Sequence, residues 1–428
     1  MLQLATTPTP LEPALRRYFG PQACLDRRLR HIEGTHRTRS VSETLASIGG
    51  RLADLGVSRV IDLTPLDRIG LPVFNVCIPN RFTECYTAGK GITREACLVS
   101  GLMEAFEIRC ATARHPRYEL CGVPRARAQE HGEALDPNTL LLPVEGQFDD
   151  AQRLDWFRCL ELSSQREAYL PADLFGFAYG KANGSTRTTP YVNTNGLASG
   201  NSVHEAIVHA LLELVERDGL VLSNFGAPRP IAVPDHGLSP ALDSLLARLR
   251  AVELELLVFD ISTDIGLPTY QAYLVDACGF GEYHLHCGMG CHLDPHVALS
   301  RAVTEACQVR LTYFAGARND VADASAGEDA YRALLACHAE APARPLPDAA
   351  APITDLGDVL DDVQGRLAAV GCDEVWVANL SQPGFEQLAV SCYVPGLEGL
   401  CYDEQGQLAV GERGWQWRQR HGARRFGF

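Results

Sequence analysis

The sequence lacks any apolar run of the roughly 20 residues that a membrane-spanning helix requires. Its first 20 residues, MLQLATTPTPLEPALRRYFG, also lack the basic and then apolar order of a secretory signal peptide. The 15 cysteines are odd in number and scattered singly through apolar stretches, which is typical of buried thiols in a reducing compartment. We therefore expect a cytoplasmic protein that has no disulfides and no membrane as its partner.

Positive charge is in the minority. The chain has 38 Lys and Arg residues against 53 Asp and Glu residues, which gives a formal net charge of -15. This balance argues against a nucleic acid or an anionic membrane as the main partner. No internal repeat is visible. With 46% hydrophobic and 21% charged residues in 428, the chain is expected to be globular throughout, with one large or two medium cores.

Apolar periodicity and turn residues outline the first half of the chain. The first clear helix is predicted at 42–55 with Ser42 as its cap, and strands are predicted at 57–64 and 71–79. Thr93 is expected to cap the next helix. The middle of the chain has weak signals until a second acidic helix, which a polar, glycine-rich segment precedes.

The second half has its strands in runs. Strands are predicted at 254–262, 268–275 and 283–290, a helix from Asp294 to about Tyr313, an alanine-rich helix and a Pro/Ala linker within 324–352, and strands at 373–380 and 387–398. Because strands and helices do not alternate strictly, we expect an α+β fold with helices packed on mainly antiparallel sheets, rather than a doubly wound parallel sheet.

Two predicted helices each present an acidic face. In SGLMEAFEIR, at 100–109, Ser100, Glu104 and Glu107 fall within an arc of about 60° beside an apolar sector. In the second helix, four polar side chains fall within an arc of roughly 120°. These are Asn201, Glu205, Glu213 and Glu216. For either helix alone, a solvated acidic face is the alternative, but both acidic faces border apolar stripes and include neutral hydrogen-bonding residues.

Facing carboxylates repel one another unless cations compensate. Hard oxygen ligands with few His or Cys favour magnesium. Arg217, directly after Glu216, offers a planar donor suited to phosphate, and Ser100 and Asn201 offer neutral hydrogen bonds. The pattern therefore predicts a site for a magnesium nucleotide.

These motifs resemble the YcaO family of ATP-dependent enzymes that modify peptide backbones, from about Gly34 to Glu398. The segment GKGITREACLVSGLMEAFE, at 89–107, resembles the family's glycine-lysine-glycine turn and its S-x-x-x-E-x-x-E helix. NTNGLASGNSVHEAIVHALLELVERDG, at 193–219, resembles its second nucleotide helix. Later segments, GCHLDPHVALSRAVTEACQVR and VPGLE, are also similar to the family. The sequence departs from the family pattern at Ile108.

The resemblance implies a YcaO-type fold and a set of ligand roles. ATP would be bound by Arg37, Ser100, Asn201 and Arg217. Magnesium would be bound by Glu104, Glu107, Ser202, Glu205, Glu213 and Glu216. No catalytic residue is assigned. The predicted division is an N-terminal extension at 1–35, an ATP-binding catalytic domain at 36–400 and a C-terminal tail at 401–428, and a homodimer is expected.

The implied chemistry is ATP-driven activation of a peptide amide, with a precursor peptide as substrate. External sulfide would give a thioamide, a neighbouring side chain an azoline, and an amine an amidine. DLTPLDRIGLPV, with GTHR upstream, resembles members that accompany TfuA-type proteins, and the chain ends in RRFGF instead of the proline-rich tail of azoline-forming members. Thioamide formation is therefore favoured. The alternatives are an azoline-forming cyclodehydratase, with a ubiquitin-activating-like partner instead of a TfuA-like one, and a noncatalytic ATP-binding accessory factor.

Three other sequence features are weaker signals of a functional site. HLHCGMGCH, at 284–292, superficially suggests zinc, but it lacks the second half of a structural site, and a strand followed by a glycine turn explains it better. AGKG, at 88–91, could cradle phosphate through its backbone and Lys90, but it is too short for a Walker loop and lacks the Ser or Thr after the Lys. A polar cluster of Glu305, Gln308 and Arg310 resembles the family without matching its spacing, and we leave it out of the site.

Overall fold

The computed structural model describes residues 11–30, 34–79, 84–113, 115, 117–140, 148–175, 194–226, 229–277, 283–316, 328–340, 342–399, 401–402 and 408–422. Most of the glycine-rich segment at 174–185 and the terminal RRFGF lie outside these ranges. No helix in the ranges above is long and apolar enough to cross a membrane. The 12 cysteines whose side chains the structure describes are free thiols.

The helices are α1 Leu11–Phe19, α2 Val41–Gly49, α3 Leu52–Leu55, α4 Arg94–Ala111, α5 Arg125–Gln129, α6 Val203–Ser223, α7 Pro240–Ala251, α8 Pro295–Phe314, α9 Glu328–Glu340, α10 Leu356–Ala369 and α11 Glu412–His421. The strands are β1 Arg59–Asp62, β2 Phe74–Pro79, β3 Glu84–Gly89, β4 Glu119–Val123, β5 Leu154–Glu161, β6 Glu167–Pro171, β7 Leu197–Gly200, β8 Arg229–Ala232, β9 Glu255–Asp260, β10 Thr269–Ala277, β11 Tyr283–Cys291, β12 Arg344–Pro345, β13 Trp376–Asn379, β14 Leu388–Tyr393, β15 Cys401–Tyr402 and β16 Leu408–Ala409.

The strands form separate sheets. β1-β2-β3 is three-stranded, β11-β10-β9-β8-β12 is five-stranded, and β4-β5-β13-β14-β7 is the main path of a third sheet in which β6 also pairs with β5. β15 and β16 make a small ribbon. The described strand pairs are antiparallel apart from β8 with β12. The α+β prediction with mainly antiparallel sheets is confirmed.

Local capping signals set most helix starts. Thr93 accepts a hydrogen bond from the amide of Ala96 and caps α4, as predicted. Asp294, where the sequence predicted a helix to begin, is the N-cap of α8. The predicted helix at 42–55 is wrong in two respects. Its cap is Ser40, which forms a capping box with Glu43. The helix also ends at Gly49, because consecutive glycines are poor helix formers, and a short α3 follows.

Two packed cores position the helices. In the larger core, α4, α6 and α10 cover the sheet that contains β13, and Phe106, Leu211 and Trp376 are completely buried there. In the second, α7 and α8 cover the five-stranded sheet around Leu274. Gly288 lets β11 lie against α8, since a Cβ atom there would be 2.1 Å from the amide nitrogen of Ala306. This close approach accounts for the glycines of HLHCGMGCH.

Both chain ends that the structure describes join these cores. In α1, Leu15 and Tyr18 are buried in the larger core, and the Tyr18 hydroxyl donates to the carbonyl of Arg158 at 2.7 Å. At the other end, α11 packs on α6. The division of the chain into an N-terminal extension, a catalytic domain at 36–400 and a C-terminal tail stays a prediction.

Candidate functional site

α4 and α6 present their acidic faces to one cavity of about 1300 Å³. Every residue predicted to bind ATP or magnesium lines this cavity except Ser202. The predicted residues in the lining are Arg37, Ser100, Glu104, Glu107, Asn201, Glu205, Glu213, Glu216 and Arg217. The structure therefore brings together side chains from three separate segments of the chain.

Ser202 has a different position. Its side chain is completely buried, and its hydroxyl accepts a hydrogen bond from the amide of Glu205 as the N-cap of α6. A serine in this position stabilises the first turn of a helix. The structure gives Ser202 a capping function, and its assignment as a magnesium ligand is not supported by the cavity lining.

Glu205 joins the N-terminal segment to α6. One of its oxygens accepts hydrogen bonds from the backbone amide and hydroxyl of Thr38, at 2.8 and 2.7 Å. The other lies 3.1 Å from the side-chain nitrogen of Asn201 and 3.6 Å from Nε of Arg37. Burial lowers the pKa of Arg37, and Glu205 opposes that shift. Glu205 therefore holds Arg37 at the cavity wall, and its role as a metal ligand stays a prediction.

Glu107, on α4, is a strongly perturbed carboxylate. Its burial raises its pKa to about 8, and the nearby Glu104 and Glu213 contribute to the rise by repulsion. Ser199 opposes the shift, because its amide and its hydroxyl both donate to Oε1 of Glu107. A divalent cation in the cavity would favour the charged form of this carboxylate.

On α6, Arg217 lies between two carboxylates. Its guanidinium nitrogens are 3.5 Å from Glu213 and 3.5 Å from Glu216. Burial opposes the charge of Arg217, but Glu216 and Glu213 raise its pKa above the ordinary value. Burial also raises the pKa of Glu213 to about 7, although Arg217 lowers it. Glu216 accepts a further hydrogen bond from the amide of Cys291 at 3.1 Å.

The cavity lining also includes residues of α8 that the sequence analysis left out of the site. Lys90 forms an ion pair with Glu305, and Gln308 donates to the carbonyl of Ala88. Arg301 also lines the cavity, and its Nε is buried with no hydrogen-bond partner among the described residues. Arg301, Glu305 and Gln308 are spaced by four and three along α8, which is the helical signal that would have placed them together.

The structure explains two features of the sequence, Arg310 and the glycine turn AGKG. Arg310 points away from the cavity and pairs with Asp67 at 3.0 Å and Asp276 at 2.7 Å. The glycine turn of AGKG allows close packing, because a Cβ atom on Gly89 would lie 1.9 Å from the carbonyl oxygen of Cys97. Lys90, which this turn carries, does line the cavity.

The donor set fits magnesium together with a nucleotide. Within the described ranges, no three His, Cys, Asp or Glu side chains are grouped closely enough to hold a metal ion by themselves. The carboxylates therefore line the cavity without forming a closed cage. Mg²⁺ is commonly held by one or two carboxylates together with phosphate oxygens and water, and this spread of carboxylates suits that arrangement.

Comparison with known proteins identifies the family. Residues 88–398 match the family described as YcaO cyclodehydratase, ATP- and Mg²⁺-binding. This chain belongs to the YcaO family. A relative from Rhizobium leguminosarum bv. trifolii, named only as an uncharacterized protein in the tfuA 3′ region, is 30% identical over 380 residues, which cover 85% of this chain and 88% of the relative.

Solved structures share the YcaO fold. The YcaO protein of Methanopyrus kandleri bound with AMPPCP and Mg²⁺ has a TM-score of 0.70 at 22% identity, and the match covers 90% of this chain and 99% of that one. A heterocyclase in complex with substrate and cofactor has a TM-score of 0.72 at 22% identity. The match covers 90% of this YcaO chain and 55% of the heterocyclase, so this chain spans about half of its length.

Proposed function

We propose that this YcaO protein uses magnesium ATP to activate a backbone amide of a precursor peptide, and that external sulfide converts the amide into a thioamide. The observation that supports this proposal most strongly is that the carboxylates of α4 and α6 line one cavity together with Arg217, Lys90 and Arg301. A cavity with both signs of charge suits a nucleotide whose phosphates carry magnesium.

The residues of the chain have distinct tasks in this proposal. Arg37, Ser100, Asn201 and Arg217 bind the nucleotide. Glu104, Glu107, Glu205, Glu213 and Glu216 hold magnesium, and Ser202 caps the helix that carries three of them. Ser199 orients Glu107 through two hydrogen bonds. Burial of these groups strengthens their electrostatic interactions with a bound polyphosphate.

The chemistry requires a phosphoryl group because an amide oxygen is a very poor leaving group. Bound magnesium ATP supplies that group. Sulfide adds to the carbonyl carbon, the former amide oxygen leaves as part of inorganic phosphate, and a carbon–sulfur double bond replaces the carbon–oxygen bond. ADP, phosphate and the thioamide are the products, and no oxidant or reductant is needed.

The choice of sulfide is supported by the relative named for the tfuA 3′ region, because it matches most of this chain. We propose a TfuA-like protein as the partner, a precursor peptide as the substrate and a homodimer as the assembly. Cytoplasmic location stays a prediction. The fold shared with a heterocyclase leaves azoline formation as the alternative outcome.

Intact mass and fragmentation of the precursor after co-expression test the proposal. Exchange of oxygen for sulfur increases the mass of the peptide, whereas azoline formation decreases it by one water. Glu213→Gln is the matched control, and it is expected to leave the peptide unmodified. A mass decrease would replace the thioamide proposal by the azoline alternative. An unmodified peptide despite intact ATP binding, with sulfide and the partner supplied, would favour a noncatalytic accessory factor.

A further inference from the structure

Helix α6 carries an acidic residue on the side that faces away from the cavity. Asp218 directly follows Arg217, and at 100° per residue it lies about 160° around the helix from Glu216. Asp218 does not line the cavity, and its side chain has an exposed fraction of 0%. A buried carboxylate needs hydrogen-bond donors, and the C-terminal part of the chain supplies them to Asp218.

Arg413, on α11, holds this carboxylate with two nitrogens. Its Nε lies 2.9 Å from Oδ1 of Asp218, and its Nη2 lies 3.0 Å from Oδ2. The backbone amide of Glu398 donates to Oδ1 at 3.1 Å. The Arg413 side chain is itself only 11% exposed, and it also pairs with Asp264. The contact is therefore a buried, two-pronged ion pair between α6 and α11.

Two further contacts fix α11 in place. The carboxylate of Glu398 accepts hydrogen bonds from the amides of Gly411 and Gly414, at 2.9 and 2.6 Å, at the start of α11. In the middle of α11, Nε1 of Trp417 donates to the carbonyl of Phe225, just beyond α6, at 3.2 Å. α11 is thus anchored at its start and in its middle beside the C-terminal part of α6.

We propose that Asp218 and Arg413 are positioning residues for the nucleotide site. Apolar packing of α6 is not directional, whereas the fork of a guanidinium on a carboxylate fixes both distance and orientation. The ion pair lies one residue from Arg217 on a rigid helix, so it sets the rotation of α6 that directs Glu213, Glu216 and Arg217 into the cavity. This inference rests on the proposed function of that cavity.

The test compares full-length Arg413→Ala with Arg420→Ala. Arg420 is on the same helix, and its side chain is 60% exposed. Calorimetry with Mg²⁺ and AMPPCP measures nucleotide affinity, and the ATP dependence of peptide modification gives KM and kcat. We expect Arg413→Ala to weaken the affinity and raise KM on the order of tenfold, as loss of an outer-shell partner does, with a smaller effect on kcat. Arg420→Ala is expected to match the unchanged protein.

Arg413→Lys separates positioning from charge. Lysine keeps the positive charge but lacks the planar fork, so we expect an affinity between those of the unchanged protein and Arg413→Ala. If Arg413→Ala does not fold, the nucleotide affinity of Arg413→Lys alone tests the positioning role. A folded variant that is less stable to heat but binds AMPPCP normally well below its unfolding temperature would overturn the positioning role. If the unchanged protein did not bind Mg²⁺ and AMPPCP, the nucleotide site itself would be overturned, and this inference with it.

Discussion

Ser199 donates its backbone amide and its hydroxyl to the same oxygen of Glu107, at 2.7 and 2.6 Å. The two residues are far apart in the sequence, and β7 carries one while α4 carries the other. Ser199 is 4% exposed, so water does not replace these donors. The pair keeps the partly buried carboxylate of Glu107 in a fixed orientation at the cavity.

Replacement of Ser199 by alanine is therefore expected to weaken magnesium-nucleotide binding. A hydrogen bond to a charged group contributes about 1.5–3 kcal/mol, which is roughly 10- to 100-fold in affinity. The deficit should shrink as the pH rises, because a higher pH restores the charge of Glu107. Calorimetry with AMPPCP at several pH values measures this. Ser223→Ala is the control, because the hydroxyl of Ser223 donates to the carbonyl of Leu220 within the same helix. A deficit that is the same at every pH would contradict the role of Ser199.

Glu213→Gln and Glu216→Gln are each expected to weaken or abolish magnesium-ATP binding, because a ligand and its charge are lost together. Even an outer-shell partner is worth roughly 10- to 100-fold in metal affinity, so a direct ligand should exceed that range. The measurement is nucleotide affinity at saturating magnesium. Glu95→Gln, on the exposed part of α4, is the matched control. Normal affinity in a well-folded Glu213 or Glu216 variant would overturn the site.

Glu104→Ala is expected to abolish peptide modification while the protein stays folded. Glu104 lines the cavity and is only partly buried. Phe106, two residues later, is completely buried, and its truncation to alanine is expected to cost about 3–5 kcal/mol of stability. Thermal unfolding and peptide mass spectrometry distinguish the two variants. If Glu104→Ala failed to fold, the helix face would have been misassigned.

The stability of the nucleotide-free protein should decrease as the pH rises. Burial raises the pKa of Glu107 to about 8 and that of Glu213 to about 7, both above the ordinary value of 4.5. The folded protein therefore binds more protons than the unfolded chain between the ordinary pKa of 4.5 and these raised values. The resulting stabilisation is fully present below the ordinary pKa of 4.5 and is lost progressively as the pH rises to about 8.

Thermal unfolding between about pH 5 and about pH 9 measures this dependence. Glu107→Gln should flatten the profile, and Glu95→Gln should leave it unchanged. Magnesium AMPPCP should raise the unfolding temperature most at high pH, where the carboxylates are charged. A stability that rises over the same pH range would show that the carboxylates are already charged and compensated.

Cysteine is not expected to carry sulfur in this protein. Burial raises the pKa of Cys287 and of Cys291 to about 12, so both thiols are protonated near neutral pH and are weak nucleophiles. Cys287→Ala and Cys291→Ala should each retain thioamide formation when sulfide is supplied. Loss of product in a folded variant that still binds ATP would make that cysteine part of the sulfur transfer.

Periodicity was sufficient to predict the acidic faces of α4 and α6, because a helix places residues three and four apart on one side. Helix starts are also local signals, and the cap Thr93 and the start of a helix at Asp294 were both predicted. The break after Gly49 was missed because apolar spacing continued across the glycines. Arg301 and Glu305 share a face of α8, but periodicity alone does not show which of several helices meet at one cavity.

The sequence by itself determined the residue types of the site, the helices that carry them and the family to which the chain belongs. The tertiary structure decided which distant segments meet, since Thr38 with Glu205, Lys90 with Glu305 and Arg413 with Asp218 are each separated by well over a hundred residues. Such pairs depend on how the sheets and helices pack. Helix and strand propensities depend on residues only a few positions apart, so they do not predict these long-range contacts.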